Sequence, residues 1–294
     1  MRVKTIPEHT QVPEHPLPTM AETNPSVPTL ADQADRYCYY ERSVQCAEAE
    51  VDFIDRNFNR LRGRDAHLLR EDFCGTAAVC CEWVGRRRTN RAVGVDIDPR
   101  VLDWGRDHNL AALDEHAAKR VSLLEEDVLA VEGMRPDIIT AMNFSYWLLK
   151  ERNAVKRYFA RVLRALRDDG ILFLDAYGGY DSYRPITEER TIRGDNGDFT
   201  YLWEQEKYDP ITGRLVCHIH FAFPDGSRMD RAFSYDWRLW SLPEIRELLD
   251  EVGFQRVVCY WQGWDEDGNP DGIFLPVEEG TPDAAWIAYL TAEK

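Results

Sequence analysis

Apolar and polar positions follow two rhythms along this chain, and the change between them divides it. From Val44 to Leu61 the apolar residues Val51, Ile54, Phe58 and Leu61 recur at helical spacing, which predicts an amphipathic helix closing one side of a core. Apolar runs follow at Leu68, at Ala92–Asp96, at Val121–Leu124, at Asp137–Met142 and at Ile171–Asp175, separated by helical patterns near Pro99–His116 and Lys150–Arg167. Apolar strands alternating with helices imply a parallel, doubly wound α/β sheet covered on both faces.

Beyond Asp175 the period becomes two. Phe199–Tyr208 and Arg214–Phe223 flank Asp209-Pro210-Ile211-Thr212-Gly213, and Ser227–Trp237 follows Pro224-Asp225-Gly226, the pattern of an antiparallel meander. It is read as an insertion over about 197–238, between the fifth strand and a helix at Leu242–Val252, forming a roof or a homodimer surface. Gly253–Trp261 then reads as a strand, Gln262–Pro282 as a long acidic loop, and Ala284–Thr291 as the last strand. Residues 1–30, rich in proline and polar side chains, read as a mobile tail without the apolar block of a secretory signal. Residues 31–294 are read as one domain, with 35–62 as its N-terminal lid and helix.

The chemistry concentrates between Leu68 and Pro99. A strand turns through Phe73-Cys74-Gly75-Thr76-Ala77 into a helix, and the next strand ends at Asp96, 21 positions after Gly75. A glycine lets a ligand approach the main chain, and a carboxylate ~20 residues later reaches the hydroxyls of a ribose. A dinucleotide needs further glycines around its pyrophosphate, but Phe73 and Ala77 stand at those positions. A nucleoside carrying a sulfur-linked amino acid, such as S-adenosylmethionine, fits this pattern better.

Glu71-Asp72-Phe73-Cys74-Gly75-Thr76-Ala77, Ala92-Val93-Gly94-Val95-Asp96-Ile97-Asp98-Pro99 and Leu124-Glu125-Glu126-Asp127-Val128 resemble the three motifs of class I S-adenosylmethionine-dependent methyltransferases. The resemblance implies a mostly parallel seven-stranded Rossmann-like sheet with a reversed last strand. It implies that Asp96 holds the ribose, that Ile97 packs on the adenine, that Asp127 and Val128 meet its amino edge, and that Gly75 underlies the methionine part. It maps the first motif's acidic residue to Glu71 and leaves Arg70 as a candidate partner of the ligand's carboxylate. Phe73 and Cys74 complete the cofactor turn, and Tyr37, Tyr40 and Gln45 are candidate lid residues. Asn143 and Tyr146, after the fourth strand, fall at the carboxyl edge, where ligands of open α/β sheets gather, and so beside the transferring methyl group.

Charge and cysteine content narrow the partners. The 36 basic and 52 acidic residues leave a net charge of −16, which disfavours a polyanionic nucleic acid. No apolar run approaches a membrane span, and a cytoplasmic enzyme is expected. Seven cysteines form no metal-ligand spacing and no even disulfide set. If the acceptor needs deprotonation, His218 or His220 is the candidate base, and Tyr146 is a further catalytic candidate. The expected activity is methyl transfer to a small molecule. A non-catalytic S-adenosylmethionine-binding regulatory protein and a nicotinamide-dependent oxidoreductase are the alternatives.

Overall fold

The computed structural model describes residues 27–194, 197–264 and 270–294. Most of the expected N-terminal tail therefore lies outside the described residues. Thr29 caps α1 (Leu30–Gln33) and Asp35 caps α2 (Arg36–Ser43), each through its side-chain oxygen. Helix α3 (Ala47–Arg62) ends at Gly63, whose φ of 65° is the left-handed conformation suited to a C-cap.

A repeating strand–helix unit follows: β1 (Leu68–Asp72), α4 (Ala78–Arg86), β2 (Arg91–Asp96), α5 (Pro99–Gly105), α6 (Glu115–Ala118), β3 (Val121–Glu125), β4 (Ile138–Ala141), α7 (Arg152–Ala165) and β5 (Ile171–Gly178). Next come β6 (Ile186–Ile192), β7 (Phe199–Tyr208), β8 (Arg214–Ala222) and β9 (Arg228–Arg238). The chain closes with α8 (Leu242–Val252), β10 (Arg256–Trp264), β11 (Pro270–Val277) and β12 (Trp286–Glu293).

The main sheet has the order β11-β10-β12-β5-β4-β1-β2-β3. Strands β3, β2, β1, β4 and β5 run parallel, and β12 is antiparallel to both β5 and β10. The expected reversed last strand is present, but the sheet has eight strands rather than seven. The extra strand is β11, inside the segment read as a loop. Its Phe274 ring stacks on Tyr289 at 4.0 Å while Ile273 and Leu275 stay exposed, so this edge strand has no buried run to mark it in the sequence. The inserted meander also has four strands, β6-β7-β8-β9, rather than three. Strand β6 reads Ile-Thr-Glu-Glu-Arg-Thr-Ile with its interior exposed, so no buried face marks it in the sequence.

Both faces of the sheet are covered. Val95, Ile139, Leu172 and Leu174 pack against Tyr158, Phe159 and Val162 of α7 and Leu248 and Leu249 of α8. Leu69, Ile138 and Phe173 pack against Ile54 and Phe58 of α3 and Trp83 and Val84 of α4. Each fully buried side chain of this kind contributes roughly 1.5–3 kcal/mol, against about 0–1 kcal/mol for an exposed ion pair, so this double layer rather than the charged surface holds the fold. No helix among the described residues is long and apolar enough to cross a membrane.

At the amino edge of the parallel strands, Asp137 is fully buried. Its Oδ2 accepts from the amides of His67 (3.0 Å) and Leu68 (2.9 Å), and its Oδ1 accepts from Arg64 and Arg167, both at 2.9 Å. Burial alone would raise this carboxyl. The Leu68 amide, the Arg167 guanidinium, the His67 amide and the Arg64 guanidinium outweigh it and hold Asp137 at about 2.

Candidate active site

The turn after β1 carries three left-handed residues in alternation: Phe73 (φ 59°), Gly75 (φ 54°) and Ala77 (φ 60°). These are the positions where the resembling family places glycine, and each non-glycine residue there costs ~1–2 kcal/mol. The conformation folds the main chain back so that the Gly75 amide donates to Asp96 Oδ2 at 2.9 Å, while the Asp98 amide donates to Asp96 Oδ1 at 3.0 Å. The Asp96 carboxylate is thereby fixed at the end of β2 with lone pairs to spare. A Cβ built on Gly75 would meet nothing nearer than Val101 Cγ2 at 4.0 Å, so the space above this glycine is open. Ile97, 70% exposed, offers an apolar surface next to Asp96. Asp127 is exposed and accepts from the Leu129 amide, while Val128 is buried beneath it.

Two further glycines set the depth of this crevice. A Cβ at Gly94 would lie 2.8 Å from Cys74 Sγ, and one at Gly105 would lie 2.4 Å from the Thr76 carbonyl oxygen. Both β2 and α5 can approach the turn only because these side chains are missing. Helix α2 covers the turn from above: Thr76 Oγ1 donates to Glu41, and Asn109 Nδ2 donates to Glu41 at 2.7 Å and to the Thr76 carbonyl at 3.0 Å.

Several sequence-derived candidates lie elsewhere. Arg70 is 1% exposed and forms a bidentate pair with Asp72, at 2.7 and 2.8 Å, to which Tyr158 also donates. Strand alternation puts both on the α7 face of β1, so Arg70 is occupied in the core and does not serve a ligand carboxylate. Cys74 fills the space left by Gly94. Burial pushes its thiol well up, and only its main chain borders the turn. Phe73 packs against the Tyr158 ring at 5.8 Å, under the turn. Tyr146 is 0% exposed and donates to the Asp175 carbonyl at 2.8 Å, which makes it a core anchor and not a base. His218 and His220 are on the outer face of the meander. His218 is paired with Glu206 (2.7 Å) and Ser234 (2.8 Å), and His220 with Glu204 (2.9 Å) and Asp230 (3.2 Å). The opposite face of β8, with Leu215 and Cys217, packs onto the main domain, so neither histidine reaches the crevice. They are also buried rather than exposed, because Glu204, Glu206 and Asp230 fold over them.

The inner face of the meander roofs the carboxyl edge of the sheet. Along β7 its residues run buried, half-buried, half-buried, buried: Phe199, Tyr201, Trp203 and Gln205. Solvent therefore reaches the middle of this face. Tyr40 of α2 lies against Phe233 at 4.9 Å and adjoins Tyr235. Below the roof, Asp175 of β5 accepts from the Asn143 and Phe144 amides at 2.7 and 2.9 Å; Asn143 and Phe144 both have φ of 56°. Asn143 thus reaches the carboxyl edge as expected, beside Glu50.

Glu50 and Asp175 are buried carboxyl groups at this edge that the sequence pattern does not single out. Glu50 is 6% exposed, and its Oε2 is buried without a hydrogen-bond partner among the described residues. Burial, reinforced by the neighbouring Asp175 and Glu71 and opposed by a hydrogen bond from the Asn143 side chain, pushes it up to about 8. Asp175 rises to about 7 through burial, opposed by the Phe144 and Asn143 amides. Glu71 rises to about 7 through burial, opposed by its bond from the Cys80 amide, 3.1 Å long. A signal did exist: Glu50 precedes Ile54 by one helical turn, a charged residue on the stripe that carries Val51, Ile54 and Phe58.

Residues 72–174 match a family model described as a methyltransferase domain. YqeM of Bacillus subtilis (strain 168) is 20% identical over 212 residues, covering 70% of this chain and 81% of YqeM. Among solved structures, the chain resembles S-adenosylmethionine-bound CalS10, an amino pentose methyltransferase from Micromonospora echinaspora, with a TM-score of 0.63, 13% identity and coverage of 88% of this chain and 96% of that one. It also resembles KedS8, a sugar N-methyltransferase from Streptoalloteichus sp ATCC 53650, with a TM-score of 0.56, 14% identity and coverage of 94% and 98%. Likeness at this level of identity establishes the shared Rossmann-like fold.

Proposed function

We propose, from the premise that residues 72–174 are a methyltransferase domain, that this chain transfers a methyl group from S-adenosylmethionine to a small polar acceptor under the roof. The carrying observation is the Asp96 carboxylate, held by the Gly75 and Asp98 amides beside the open space above Gly75. When bound, S-adenosylmethionine supplies a methyl group activated by a positively charged sulfur.

Asp96 holds the ribose hydroxyls, Ile97 takes the adenine face, and Asp127 with Val128 borders its amino edge. The main chain at Gly75 passes beneath the methionine part, with Glu71 beyond it. The roof and α2 exclude water and orient the acceptor, and alignment of reacting groups about 3–3.5 Å apart supplies most of the acceleration. The crystallised neighbours named for amino pentose and sugar substrates support an acceptor of sugar size.

Calorimetry with S-adenosylhomocysteine, with NADH as control, tests this reading. Binding of the first alone is the expected result. Asp96→Ala loses charge-assisted hydrogen bonds of roughly 1.5–3 kcal/mol each, a tenfold or larger weakening by about 1.4 kcal/mol per decade. Unchanged affinity in a folded Asp96→Ala variant removes this residue from the site. Transfer of radiolabelled methyl to a metabolite extract, absent from the same variant, separates an enzyme from a binder.

A further inference from the structure

We infer that Glu50 receives the ammonium group of the methyl acceptor, which makes the acceptor class a small-molecule amine; this inference rests on the methyl-transfer reading above. Three carboxyl groups, Glu50, Glu71 and Asp175, meet at the carboxyl edge of β1 and β5, and no cation of a described residue neutralises them. They differ in what they already hold. Asp175 accepts two main-chain amides and Glu71 accepts one. Glu50 has the Asn143 side chain as a hydrogen-bond partner, but its Oε2 is buried and unpartnered.

Leaving a buried carboxylate oxygen unpaired is costly, and it is unpaired here although the chain carries 36 basic residues. A ligand donor completes the pocket. The half-buried rings of Tyr40, Tyr201 and Tyr235 stand on the roof side, and aromatic faces favour a cation over a neutral hydroxyl.

The proton balance follows. Burial, with Asp175 and Glu71 nearby, pushes Glu50 up towards its protonated form. A docking ammonium supplies the missing counter-charge, and Glu50 releases its proton to water. Next an N–H bond of the acceptor breaks and an O–H bond forms on Glu50, which leaves a neutral nitrogen with a lone pair. That pair makes the new N–C bond as the C–S bond breaks, with the C–S electrons staying on sulfur. The proton on Glu50 then passes to solvent.

S-adenosylmethionine also carries an α-ammonium group, so the test must separate the two amines. In calorimetry with S-adenosylhomocysteine, which keeps that ammonium, Glu50→Gln is expected to bind within about threefold of the parent. A loss of about tenfold or more assigns Glu50 to the amino-acid end of the donor, which overturns this inference and leaves the methyl-transfer reading intact. Absence of binding to the parent protein overturns both.

The protein saturated with S-adenosylhomocysteine is then titrated with glucosamine and with glucose, two probes differing in one amine. The parent is expected to prefer glucosamine by about tenfold or more and to lose the infrared band of a protonated carboxyl as the amine binds. Glu50→Gln is expected to lose both the preference and the band change. Glu50→Asp, which keeps the charge one methylene further back, retains the preference with weaker binding and guards against misfolding of the first variant. Equal treatment of the two sugars by the parent, including no binding of either, or a preference that survives in Glu50→Gln, overturns the inference.

Discussion

The two edges of one parallel sheet treat buried carboxyl groups in opposite ways. At the amino edge, Asp137 receives two strand amides and two guanidinium groups and is held at about 2. At the carboxyl edge, Glu50 and Asp175 sit without a cation and are pushed up to about 8 and about 7. Burial is common to both. What differs is whether the chain itself provides the counter-charge. A carboxylate satisfied from within stabilises the structure, whereas one left unsatisfied keeps its capacity for something that arrives from outside.

The largest expected effect is on stability at the amino edge. Asp137→Ala strips partners from two strand amides and two arginines and should lower stability by about 3 kcal/mol or more, read from urea unfolding, while S-adenosylhomocysteine affinity of the folded fraction stays unchanged. A loss of that affinity at native stability would break the contrast between the edges.

The pH dependence sharpens it, because the two groups work in opposite senses. Asp137 has a folded value below its ordinary 3.8, so its stabilisation is present above 3.8 and is lost as pH falls towards about 2. Glu50 has a folded value above its ordinary 4.5, so the native state favours the protonated form and stability falls as pH rises from 4.5 to about 8. Unfolding curves of Glu50→Gln should be flatter over that second window and should exceed the parent's stability above pH 8; an unchanged slope assigns it to another group.

Smaller effects separate anchors from chemistry. Tyr146→Phe removes one buried hydrogen bond to the Asp175 carbonyl and should cost ~1 kcal/mol with methyl transfer retained, and a collapse in turnover at native stability would return Tyr146 to the site. The smallest change is expected for Ala77→Gly, which relieves a left-handed φ of 60° but loosens the unfolded chain, leaving a net shift within about 1 kcal/mol.

Much of the central sheet was legible because apolar strands and 3.6-residue periods are consequences of two-sided burial. The turn and Asp96 were legible because a tight strand-to-helix connection and a distant carboxylate leave a fixed spacing. Strands β6 and β11 were not, since edge strands facing solvent carry no enforced alternation. Arg70, Tyr146 and the two histidines show a different limit: a sequence gives the residue and its approximate edge, while strand parity decides which side of the sheet it faces. Arg70 and Glu71 are adjacent and point to opposite layers. Glu50 was hidden for the converse reason, because a single acidic residue in a mixed helix gains meaning only once Asp175 and Asn143, more than 90 positions away, are folded against it.

Helix α2 is fastened on two sides, to the cofactor turn through Glu41, Thr76 and Asn109 and to the inserted sheet through Tyr39 and Tyr40. A displacement of α2 that broke the Glu41 contacts at the turn would also pull Tyr40 from Phe233. The turn above β1 and the roof over the carboxyl edge are thus mechanically coupled through one helix, so a substitution that loosens α2 at either end is felt at the other.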